Sequence, residues 1–146
     1  MAIDKGIEDT VMRLIHWGTA RAGVVIVVPV LGVGAFWANI AYMVTRIAKV
    51  RGVDLSPSVL KGFLAGLGGV VAASTATMLI PFPLMQIPIA VGTAYGIGKA
   101  ADAWIKDGMP EDMSTYRSTF KSARDFAKKN SGQFRDNPDK DRPMGD

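Results

Sequence analysis

AGVVIVVPVLGVGAFWANIAYMVT, residues Ala22 to Thr45, holds no Asp, Glu, Lys or Arg, and Pro29 interrupts it with Gly32 and Gly34 close behind. A proline inside a helix lacks an N–H and its ring clashes with the preceding turn, so PVLGVG reads as an apolar turn or sharp kink between two helical arms. A second uncharged stretch, Gly62 to Gly98, is broken in the same way by LIPFPLMQIP, which carries Pro81, Pro83 and Pro88. Half of the charged residues, by contrast, lie from Glu111 onward. Such segregation of charge is a membrane-type pattern. The fold class that follows is all-α: two helical hairpins with uncharged Pro/Gly turns, a C-terminal amphipathic helix and a disordered tail.

Upstream of the quoted stretch, Ile7, Val11, Leu14, Ile15, Gly18 and Ala22 recur at steps of three and four, the signature of an amphipathic helix. Downstream of the turn, a second helix spans about 35–51. Its small residues Gly34, Ala38, Ala41, Thr45, Ala48 and Gly52 form a stripe that lets another backbone come close. Arg46, Lys49 and Arg51 gather at its end, where the helix dipole favours cations, and Gly52 suits the C-cap. Ser56-Pro57 offers an N-cap and a first helical residue for a third helix. That helix carries Gly62, Ala65, Gly69, Ala72 and Ala76 before the proline turn. A fourth is expected from about Ile89 to Lys106, ended by Gly108 and Pro110, and a polar helix from Glu111 to Lys129 follows.

The domain organisation expected is a four-helix membrane-associated hairpin domain over 1–110, a polar amphipathic helix over 111–129 and a disordered charged tail over 130–146. The tail SGQFRDNPDKDRPMGD has almost nothing apolar to bury. An offset of 53 aligns Tyr42 with Tyr95 and Arg46 with Lys99, a thin trace of duplication.

The chemistry available is narrow. Cysteine is absent, which excludes disulfide scaffolds, thiolate metal sites and Cys nucleophiles. His16 is the lone histidine and stands beside Trp17, an interfacial aromatic-polar pair rather than a metal ligand or base. Asp4, Glu8 and Asp9 complement a helix N-terminus and need no cation to explain them. The expectation is a protein that is not an enzyme, with no catalytic, cofactor or metal site. Acidic residues among the first ten and an apolar run that starts only after Arg21 do not form a secretory signal, so the start is read as mature and cytoplasmic.

Three readings of the uncharged stretches remain open. They can span a bilayer over Ala22 to Thr45, Gly62 to Ile80 and roughly Leu84 to Ile105, each helix rising about 1.5 Å per residue. They can enter from one side as hairpins, with both turns deep and Arg46, Lys49, Arg51 and Lys61 at an anionic membrane surface. Or they can pack on each other as the core of a soluble bundle. Charge segregation favours a membrane. In the hairpin reading both termini and the Gly52 to Ser58 link share one side, the cytoplasmic one, while Leu31 and Met85 are deep or buried. Trp17, Trp104, Tyr42 and Tyr95 would act as interface anchors, with Trp37 the exception near the turn.

For packing and self-association the candidates are Gly34, Ala38, Ala41, Thr45, Ala48, Gly62, Gly66, Gly69, Gly92 and Gly96; GFLAG and GTAYG both fit the G-x-x-x-G pattern. The tail helix mixes Arg117, Lys121, Arg124, Lys128 and Lys129 with Tyr116, Phe120 and Phe126. Such a mixture can meet lipid headgroups or nucleic acid. The reading preferred is a solvated helix that packs its Met113, Tyr116, Phe120 and Ala123 or Ala127 stripe on the domain. A net charge of +4 spread over several segments argues against nucleic acid.

The order PVLGVG, YMVTRIAKVRGVDLS, LIPFPLMQIP and GTAYGIGKAADAWIKDG, from Pro29 to Asp107, resembles the YcjF-type domain family of unknown function, often attached to or encoded beside Era-like and dynamin-like GTPases. The resemblance implies a membrane-associated or GTPase-linked helical module. The chain has no G-x-x-x-x-G-K-[ST] loop, so any GTPase would be a separate protein. The function expected is a non-enzymatic membrane-associated structural protein that self-associates and shapes or scaffolds a bilayer. An adaptor for a separate GTPase is the alternative, and an oligomeric pore stands below it. The partners expected are the lipid bilayer and other copies of the chain.

Overall fold

The computed structural model describes residues 5–26, 32–68, 71 and 83–135. The described residues form six helices and no strand, so the chain is all-α. They are α1 (Lys5–Val25), α2 (Gly32–Val50), α3 (Pro57–Gly66), α4 (Pro83–Lys106), α5 (Ser114–Lys129) and α6 (Ser131–Arg135).

Helices α1 and α2 form an antiparallel hairpin. The pairing is read from Glu8 meeting Arg51 at one end and Gly18 meeting Asn39 and Met43 further along. Asn39 Nδ2 donates to the Gly18 carbonyl at 2.9 Å, so a buried amide finds its partner on the neighbouring backbone. Helix α4 lies antiparallel to α1 and parallel to α2: Gly98 faces Ile15 and Met43, and Asp102 reaches Arg51. The apolar periodicity of each helix supplies the core, with Val11, Ile15, Phe36, Ile40, Met43, Ile47 and Ile97 sealed from solvent.

Local signals act where the sequence puts them. After α2, the Gly52 N–H donates to the Lys49 carbonyl and the Val53 N–H to the Ala48 carbonyl, a Schellman cap that needs the left-handed φ of +81° only glycine adopts freely. Ser56 Oγ accepts from the Val59 N–H at 3.3 Å, with Pro57 in the first turn of α3.

Four expectations change. Helix α3 ends at Gly66 rather than continuing toward Ile80, because Gly68 turns the backbone left-handed and caps it. Helix α4 starts at Pro83 and runs through Pro88, which was expected to break it. Pro83 falls in the first turn, where no N–H is needed; Pro88 forfeits one intrahelical bond, to the Leu84 carbonyl. The polar helix begins at Ser114, while Asp112 accepts from the Ser114 N–H at 3.0 Å. The tail expected to be disordered from residue 130 begins instead with α6, because Phe134 has an apolar seat and is only 7% exposed.

The second expected hairpin joins the third and fourth helices. Much of it runs through residues 69–82, which apart from Val71 lie outside the described residues. Within them, the most extensive partner of α4 is α5. A Cβ on Gly92 would stand 2.9 Å from the Arg124 carbonyl oxygen, and one on Gly96 would stand 2.8 Å from that of Phe120. The two glycines therefore bring the helices into backbone contact. Helix α5 buries Tyr116, Phe120 and Ala127 there, the stripe read from its sequence.

Candidate functional site: the two ends of the bundle

The helix directions sort the charges. With α1 antiparallel to both α2 and α4, three helix ends stand together: the C-terminus of α1 and the N-termini of α2 and α4. These ends flank Pro29 and Pro81, which interrupt the two uncharged stretches of the sequence. From them, α1 carries no charge back to Arg21, α2 none forward to Arg46, and α4 none forward to Lys99.

The opposite end holds an ionic cluster. Arg51 Nε donates to Asp102 Oδ1 at 2.5 Å and its Nη2 to Glu8 Oε1 at 2.8 Å. Lys106 Nζ adds longer contacts to Glu8 at 3.9 Å and Asp102 at 3.8 Å. Three helices are tied by these four side chains. The Arg51 side chain is 12% exposed and that of Asp102 8%. The Arg51 hydrogen bond, partly opposed by desolvation, holds the Glu8 carboxyl below its ordinary pKa. Burial works against the Arg51 charge, yet its bonds to Asp102 and Glu8 outweigh that and hold the guanidinium above its usual range.

This cluster engages one of the expected site residues. Arg51, expected at a membrane surface, is paired with Glu8 and Asp102 within the fold. Of its expected companions, Lys49 and Lys61 are exposed and Arg46 is half-buried. Sequence reasoning missed the cluster because it treated each charge in its own helix. The signal was present in Asp102, an acidic residue flanked by apolar neighbours in the last turns of a long helix.

The ten packing candidates divide. Gly92 and Gly96 serve the α4–α5 contact within the chain, and a Cβ on Gly66 would meet Met113 at 2.8 Å. Ala48 is sealed in the core. Gly34, Ala38 and Thr45 lie exposed along α2, beside half-buried Ala41 and exposed Tyr42. Gly62 faces open space, and Gly69 is outside the described residues.

An aromatic cluster joins α1, α4, α5 and α6. Phe134 lies 4.8 Å from Tyr95 and 5.4 Å from His16, ring to ring, and Phe126 lies 5.9 Å from Tyr95. Burial, with a contribution from Lys99, holds His16 below its ordinary pKa. Arg21 sits over the Trp17 ring at 5.1 Å.

The C-terminal half of α5 runs toward the uncharged end, since Tyr116 reaches Asp107 while Arg124 and Lys128 lie against Gly92. Pro88, Asp125, Lys128 and Lys129 line a shallow open groove there. Among the described residues no helix is long and apolar enough to cross a membrane. Leu31 lies outside the described residues, so its expected depth has no structural counterpart. No group of His, Cys, Asp or Glu among the described residues is arranged to hold a metal ion. Searches of family models, curated proteins and solved structures find no match to this chain.

Proposed function

We propose that this chain is a non-enzymatic structural protein that associates with a lipid bilayer through the uncharged end of its bundle and self-associates there. The observation that carries this reading is the common position of the α1, α2 and α4 ends flanking both uncharged Pro/Gly connections, opposite the Glu8–Arg51–Asp102–Lys106 cluster. A bilayer accepts uncharged chain and resists ionised groups, which cost about 2.5 to 3.5 kcal/mol each for Lys, Arg or Asp at its centre. The contact between Glu8 and Arg51 also supports one-sided entry, because it holds the start of α1 and the end of α2 together. A three-span arrangement would separate those positions by a membrane.

Helix α5 limits the depth. Its sequence carries Arg117, Lys121, Arg124, Lys128 and Lys129, and it is packed along α4 as far as Gly92. Drawing α4 deep into hydrocarbon would draw these cations with it. The reading is therefore shallow: the connections enter one leaflet, and the bundle stands in the headgroup region. Copies then meet through the exposed small-residue face of α2 at Gly34, Ala38 and Thr45, where the absence of large side chains permits close approach.

Vesicle flotation tests the association. The full chain is expected to rise with phospholipid vesicles and to resist a salt wash. A monodisperse particle that stays at the bottom with and without vesicles overturns the proposal.

A further inference from the structure

Resting on the bilayer reading above, we infer that the exposed lysines of α5, Lys121, Lys128 and Lys129, form a docking surface for anionic phospholipid headgroups. Helix α5 carries five cations against one carboxylate, Asp125. Asp125 is taken by Arg124 at 2.9 Å, and Arg117 donates to the Gly66 carbonyl at 2.8 Å. Lys121, Lys128 and Lys129 are exposed and make no ion pair among the described residues.

Their position matters more than their number. Lys121 and Lys128 are about two turns apart on one face of the helix. Lys128 and Lys129 flank Pro88 in the open groove at the uncharged end. Phe126, two residues before Lys128, is 52% exposed and has its ring 5.9 Å from that of Tyr95. Helix-dipole complementarity accounts for cations in the last turn, but Lys121 lies in the middle of the helix, beyond its reach. Exposed ammonium groups beside the uncharged helix ends fit a surface of phosphates over hydrocarbon. A nucleic-acid groove would offer the phosphates without the apolar layer.

The experiment measures partitioning of the full chain onto phosphatidylcholine vesicles with and without about a third phosphatidylserine, at low and high salt. Each lysine near an anionic surface strengthens binding about fivefold. Phosphatidylserine should therefore tighten binding roughly a hundredfold, and salt should erase most of the gain. The triple variant Lys121→Gln/Lys128→Gln/Lys129→Gln should lose the gain while keeping the helical circular dichroism signal and its affinity for neutral vesicles. The double variant Lys49→Gln/Lys61→Gln, at the far end, should keep the gain. Equal binding of the unsubstituted chain to both vesicles overturns the inference and leaves the bilayer reading standing. Failure to bind either vesicle overturns both. An equal loss from the far-end variant, or a triple variant that loses only RNA binding, overturns the docking surface.

Discussion

Arg51 is the residue on which the far end of the bundle depends, because one guanidinium satisfies a carboxylate from α1 and another from α4. Replacing it with alanine strips Asp102, whose side chain is 8% exposed, of its shortest ion-pair contact and leaves it Lys106 at 3.8 Å, and breaking a buried pair in this way costs up to about 3–5 kcal/mol. The Arg51→Ala variant should show that loss as a lower urea midpoint. The same contact makes stability depend on acid. Glu8 has its folded pKa below its ordinary 4.5, so its contribution is complete above that value and is lost as pH falls through the folded pKa. His16, also depressed in the fold from its ordinary 6.5, opposes protonation and loses its contribution as pH falls below that value. Urea titrations from pH 7 to 2 should show a decline in two stages. His16→Gln should flatten the upper stage and Glu8→Gln the lower.

At the scale of the element, the informative contrast is between glycines that look alike in sequence. Gly96→Ala sets a methyl against the Phe120 carbonyl oxygen, a backbone atom that cannot swing aside, and overpacking of this kind costs about 1–3 kcal/mol. Gly62→Ala meets open space inside α3 and should gain up to about 1 kcal/mol from helix propensity. Thermal melts of the two variants should move in opposite directions, with α5 becoming protease-sensitive only in the first. The G-x-x-x-G spacing announced close packing but could not name the partner, since spacing is local and the partner helix is set by tertiary fit. The inward stripe of α5 and the caps at Gly52 and Ser56 were legible because 3.6-residue periodicity and capping act within one turn. Helix α6 was not legible. Its five residues hold a single large apolar side chain, Phe134, whose seat on Tyr95 and His16 exists only after α1 and α4 have packed. Burying such a ring is worth about 1.5–3 kcal/mol, so Phe134→Ala should abolish hydrogen-exchange protection over 131–135 with little effect on α2.

For the whole molecule, the segregation of charge along α1, α2 and α4 became segregation in space, while α5 carries cations toward the uncharged pole. Helix directions carried the ends flanking both uncharged stretches to one pole and an ionic cluster to the other. The all-α class and most helix positions followed from period and punctuation. The ties among Glu8, Arg51, Asp102 and Lys106 did not, because ion pairs across tens of residues leave no periodic trace. Leucine at Ala38 should cost little stability, since that position is exposed, yet it should reduce cross-linking between copies if the α2 face joins them. The central claim concerns which pole meets lipid. The chain has no cysteine, so Leu31→Cys and Ser56→Cys can each carry a single environment-sensitive fluorophore without background. On addition of phosphatidylcholine/phosphatidylserine vesicles, the Leu31→Cys label should shift to the blue and resist an aqueous quencher, while the Ser56→Cys label stays solvent-exposed. Labels that both remain in water, or a shift at Ser56→Cys alone, would contradict entry of the uncharged end.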